Sequence, residues 1–154
     1  MGSWVYARGA RKRAEAIMAM IALEMLGFFS EQEGSQKYPF PLSLLYPSTG
    51  NFIGFVGNIS NRSLVRRTLG EFRKHATIPS EGAAPPGMLA GVGWSDHWSF
   101  WQEGYPAIMV TDTAMMRNPN YHQPTDLPET LDYDKMTRVV EGLKYVLSDL
   151  VGHQ

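Results

Sequence analysis

Three residues stand out, by type and place, as candidates to hold a metal ion: Glu24, Asp96 and His122. Glu24 interrupts an otherwise apolar run, MIALEMLGF at 20–28. An ionised carboxylate left unpaired in a core costs several kcal/mol, or it becomes neutral through a shifted pKa. Glu24 therefore either pairs with an Arg or Lys near a strand end, or stands at the mouth of a sheet, where open α/β sheets keep their sites. Asp96 follows Gly93-Trp94-Ser95 at a helix start, where the helix dipole alone favours an acid. Its neighbour His97 is either packed or available. His122 lies in NPNYHQPTD, 118–126, a loop between an apolar segment and the last helix. Neutral imidazole is the commonest metal ligand and such loops gather sites, while the plain alternative is a loop histidine bonded to backbone. Asp112 can start a turn, and Arg117 can hold a substrate carboxylate or brace its loop. Catalytic zinc takes three protein ligands and a water. Residue types and spacing thus reach a candidate metal site from these three residues and no further. No phosphate-cradling glycine pattern and no Gly-x-Ser-x-Gly elbow is present.

The elements that must position these residues follow from periodicity. Residues 3–18 read as a helix of strong formers with Ser3 as cap. Residues 20–28 and 51–59 read as buried strands, the first ended by Gly27, and residues 29–50, with their prolines, as a long loop. Residues 60–76 form a helix with Val65, Leu69 and Phe72 on one face and Ser60 or Asn61 as cap. The Pro- and Gly-rich stretch 77–93 reads as loop, with room for a short strand near GMLAGV. A short helix over 95–104 takes Ser95 as cap, a third strand covers 105–113, and 114–130 is loop. The last helix, 130–152, carries the stripe Met136, Val139, Val140, Leu143, Val146, Leu147 and Leu150. Strands that are apolar throughout and alternate with helices predict an α/β three-layer sandwich with a mostly parallel central sheet. Trp94, Trp98, Phe100, Trp101 and Tyr105 serve either the core or an aromatic ligand site.

Bulk properties narrow the partners. The 154 residues suit one domain, 1–154, able to bury about 68–70% of its unfolded surface. Lys plus Arg number 14 against 15 acids, a net charge of -1. That balance gives no reason to expect nucleic acid or an anionic membrane as partner. Without cysteine there are no disulfides and no thiolate metal sites. No apolar run approaches the roughly 18 residues of a membrane helix. The N-terminus lacks the order of a signal peptide, so the chain reads as soluble with its compartment open.

Four stretches, in order, resemble the family of zinc-dependent aminopeptidases and glutaminyl cyclases: MGSWVYAR, MIALEMLGFFSEQEGSQKYP, GVGWSDHWSFWQEGYPAIMVTDTA and RNPNYHQPTDLPETLDY. The resemblance implies a hydrolase in which a zinc-activated water attacks a peptide or aminoacyl carbonyl. It places Glu24 at a strand-end metal-ligand position that is often Asp, and His122 at the family's late histidine ligand. It makes Tyr121 a hydrogen-bond donor to the developing oxyanion and likens Asp96 to an acid that the cyclases use in catalysis. The first stretch lies just after the family's Glu-Glu pair, so the early histidine, the bridging aspartate, the general base and the N-terminal strands are expected to be missing from this chain. Two outcomes are then open: a hydrolase with a reduced site, or a non-catalytic module. Both imply an exposed sheet edge, and hence a homo-oligomer or a partner chain completing the sheet.

Overall fold

A computed structural model describes residues 2–87 and 91–152. Its elements are α1 (Gly2–Lys12), β1 (Met20–Glu24), β2 (Ile53–Val56), α2 (Arg62–His75), β3 (Ser80–Ala83), α3 (His97–Gln102), β4 (Ala107–Thr111) and α4 (Tyr133–Gly152). The four strands form one sheet in the order β1-β4-β2-β3. β1 runs parallel to β4 and β2 parallel to β3, while β4 meets β2 antiparallel. The mostly parallel sheet flanked by helices is the architecture the apolar strands imply. Among the described residues no helix is long and apolar enough to cross a membrane.

Successive strand residues face opposite sides of the sheet. Ile53, Phe55, Ile108 and Val110 face one side and are buried there with Val65 and Phe72 of α2 and Val139, Leu143, Val146 and Leu150 of α4. On the other side Ala107 packs with Ala7 and Ala10 of α1, Phe100 of α3 and Tyr105, with Met20 beside them. This second cover reaches only the beginnings of β1 and β4. Beyond it Met109, Thr111, Gly54 and Val56 floor a cavity. One face of the sheet is thus core except at Leu23 on the β1 edge, and the other is half core, half site.

Several boundaries differ from the periodicity reading, each for a local reason. The first helix ends at Lys12, and the chain turns out of it through Ala14 at φ 55°. Ser3 does not cap it; it sits inside α1, its hydroxyl 3.0 Å from that of Ser99. Asn61 stands at the N-cap of α2 but makes no side-chain capping bond; the side-chain cap comes one turn earlier, where Asn58 accepts the Asn61 N–H at 3.0 Å and caps the 3-10 turn Ile59–Asn61. The Asn61 carboxamide instead accepts the N–H of Ala107 at 3.1 Å, pinning the start of β4. Ser95 does not cap α3, because its hydroxyl donates to Glu24. The last helix begins at Tyr133, with the Asp132 carboxylate accepting the Lys135 N–H at 2.9 Å; Thr130 belongs to a preceding 3-10 turn. Residues 29–50 are largely irregular but contain a 3-10 turn, Leu42–Leu44. β3 arises inside the stretch read as loop, through pairing of Ile53–Val56 with Ser80–Ala83. The strand expected near GMLAGV falls largely on residues 88–90, outside the described residues. Of the aromatic cluster, Phe100, Trp101 and Tyr105 pack as core, whereas Trp94 is 65% exposed at the cavity.

Candidate active site

The cavity has a volume of about 510 Å³ and opens over the carboxyl ends of β1 and β4. Open α/β sheets place their ligands at such ends. Its walls are largely apolar, with Tyr38, Tyr46, Phe52, Met109 and Met116 among them. Among the described residues its only charged lining groups are Glu24 and Glu81.

Two of the predicted site residues, Glu24 and Tyr121, line this cavity together. Glu24 is the last residue of β1, and one carboxylate oxygen accepts the Ser95 hydroxyl at 2.8 Å. Ser95 is buried, so this bond fixes the carboxylate at the end of the strand. Tyr121 and His122 stack ring on ring, 3.9 Å apart and 16° from parallel. His122 adopts φ 58°, a left-handed conformation for which histidine is among the more tolerant side chains, and its ring is exposed. It is not part of the cavity lining, but it adjoins Tyr121, which is. Asp96 is exposed at the start of α3, makes no side-chain capping bond and also lies off the lining. Among the described residues no three His, Cys, Asp or Glu side chains converge as a metal-holding group.

Arg117 is turned away from solvent, 5% exposed. Its Nε donates to Gln36 Oε1 at 2.9 Å and its Nη1 to the carbonyl of Phe52 at 2.8 Å and of Phe28 at 3.3 Å. The guanidinium lies 4.6 Å from the Phe52 ring centroid. Of the two uses open to Arg117, these bonds are those of a brace: they tie the segment after β4 to the long connection between β1 and β2. Burial lowers its pKa to about 10, opposed by the charge of Asp112.

Asp112 is the second half of this brace. One carboxylate oxygen accepts the Phe28 N–H at 2.8 Å and the other the Ala114 N–H at 3.0 Å, joining the exits of β1 and β4. Burial pushes its pKa from 3.8 to about 6, against those two bonds and the nearby Arg117. A carboxyl whose folded pKa is raised favours the fold while protonated. Its contribution is complete below pH 3.8 and is lost as pH rises through about 6. The expected outcome is a stability loss of up to about 3 kcal/mol from this group between about pH 4 and pH 6. Urea midpoints of the wild type and Asp112→Asn across that range measure it: the difference between the two proteins should change by this amount. A pH-independent difference would refute it.

Residue types alone missed three groups. Ser95 reads as a cap until the register brings it to Glu24. Asp112 reads as a turn starter, because its partners at Phe28 and Ala114 follow two different strands. Glu81 carries no signal in sequence, since the strand that presents it is set by pairing alone.

The comparisons with known proteins bear on the fold and the family. The sequence model of peptidase family M28 matches residues 1–147. The YfbL protein of Escherichia coli (strain K12) is 41% identical over 144 residues, which are 93% of this chain and 44% of that protein. The "Probable leucine aminopeptidase" of Arthroderma otae is 32% identical over 84 residues, 54% of this chain and 21% of that protein. The crystal structure of the Legionella pneumophila LapA aminopeptidase superposes with a TM-score of 0.65 at 14% identity, covering 99% of this chain and 36% of that one. This last likeness concerns the fold. The chain spans less than half the length of these relatives. With the family model matched over nearly the whole chain, the chain belongs to peptidase family M28.

Proposed function

We propose that this chain forms the substrate-binding side of an aminopeptidase-type hydrolase acting on a peptide or aminoacyl substrate. The observation that carries this reading is the single cavity wall shared by Glu24 and Tyr121 beyond β1 and β4, in a chain of the M28 family. The apolar wall would seat the side chain of the residue to be released. The Tyr121 hydroxyl would donate to the carbonyl oxygen as negative charge develops on it, the use of a donor that accelerates acyl transfer most. Asp96, the acid the resemblance offers, is exposed off the cavity lining and has no step in this reading. Arg117, a candidate for the substrate carboxylate, would act here by bracing the wall at Phe52.

Peptidases of this family are generally zinc-dependent. Glu24 and His122 are donor types that zinc takes, yet two donors fall short of the three a catalytic zinc needs. The described residues therefore do not complete a zinc site by themselves. Further donors would come from residues outside this chain or from a partner chain. β1 is the sheet edge on that side, and its Leu23 is 57% exposed, as a surface awaiting a neighbour would be. A homo-oligomer or a partner chain completing the sheet there belongs to the same reading.

The test is turnover of aminoacyl anilides by the chain with added zinc. Activity is expected to disappear on exhaustive chelation and to fall at least about a hundredfold in His122→Ala. Turnover that survives both treatments would remove His122 and the metal from the reading.

A further inference from the structure

One row of the sheet runs under the whole cavity. Glu24 of β1 is in register with Thr111 of β4, Thr111 with Gly54 of β2, and Gly54 with Glu81 of β3. Residues in register share a face, and all four line the cavity. The row therefore carries a carboxylate at each end, three strand spacings or roughly 14 Å apart. Between them lie a threonine and a glycine, so the floor is low. The aromatic rings of Tyr38 and Tyr46, 5.8 Å apart, stand in the wall, and the Tyr46 hydroxyl donates to the carbonyl of Gly82 beside Glu81.

Glu81 is only loosely engaged. Its side chain is 34% exposed, and it pairs with Arg73 Nη2 at 3.6 Å, an ion pair too long for a hydrogen bond and screened by solvent. Arg73 donates instead to the hydroxyl and carbonyl of Ser80. Glu24, by contrast, is held by Ser95. The cavity thus has an anchored carboxylate at one end, an apolar passage, and at the other a carboxylate held only by a long, partly exposed ion pair.

We propose that Glu81 selects substrates whose N-terminal side chain is long, apolar along its stem and cationic at its tip, namely lysine or arginine. The proposal rests on the reading above, in which the reacting carbonyl lies at the Glu24 end. Lysine and arginine bury their methylene stems against apolar surface while keeping the charged head hydrogen-bonded, and this passage offers both. A neutral side chain of equal length would partly desolvate Glu81 without replacing its lost hydration. An acidic side chain would meet like charge at both ends of the row.

Calorimetric titration of the chain with lysine amide, norleucine amide and glutamate amide tests this directly. Norleucine has a plain apolar chain and no terminal charge. Lysine amide is expected to bind about tenfold more tightly than norleucine amide, with glutamate amide the weakest. Glu81→Gln should erase the lysine advantage. If norleucine amide binds as tightly as lysine amide, or if the lysine advantage persists in Glu81→Gln, this proposal falls and the aminopeptidase reading stands. If no amide binds either protein, the cavity is not the substrate site and both fall.

Discussion

Replacing Arg117 with methionine is expected to lower the free energy of unfolding by about 3–5 kcal/mol, the scale for breaking a buried charged network. Methionine fills much of the same space but donates nothing. The carbonyls of Phe28 and Phe52 would each lose the guanidinium donor that reaches them in a buried setting. Gln36 Oε1 would keep only the Thr113 hydroxyl at 2.9 Å. Stacking of the guanidinium on Phe52 is lost as well. Asp112 would also lose the cation that opposes its raised pKa, so its titration should move further upward. Arg117→Lys should recover little, because an ammonium cannot reproduce a planar fork that bonds three acceptors in different directions. Urea unfolding gives the answer as a shift in midpoint at constant slope. A loss below about 1 kcal/mol would mean that the brace is dispensable.

Tyr121→Phe is the corresponding experiment on the chemistry. Under the proposed function it should lower kcat by about a hundredfold to a thousandfold with little change in KM, the signature of a donor used in the transition state. The substitution keeps the ring, so stacking on His122 at 3.9 Å and the cavity wall should both persist. The variant therefore separates the hydroxyl's role from a packing role. Equal losses in unfolding stability and activity would instead assign Tyr121 to structure, and an unchanged kcat would remove it from the reaction.

How much of this was legible in sequence depended on whether the determinant was local. The core-bearing helices were, because a face of Val65 and Phe72, or of Val139, Leu143 and Val146, repeats at helical spacing whatever lies opposite. The three apolar strands were visible as short apolar runs bounded by turn residues. Glu24 stood out because a carboxylate inside such a run demands an explanation. β3 was invisible for the opposite reason: Ser80-Glu81-Gly82-Ala83 has little strand preference of its own and becomes a strand through its hydrogen bonds to β2. Caps were misassigned because Ser3, Asn61 and Ser95 each found a tertiary partner that competed with the local one.

Residue types and periodicity alone give the layered α/β class, the two helices of the main core, and the chemical types available at Glu24, Tyr121 and His122. What those types can do together came from folding. It brought Ser95 to Glu24 across 71 positions of chain, turned Arg117 inward, set Asp96 off the cavity, and aligned Glu24 and Glu81 on one row of the sheet. The physical reason is the same in each case. Periodicity reports which face of an element is buried, whereas the partner of a polar group is fixed by strand register and loop closure, which join residues that are distant in sequence.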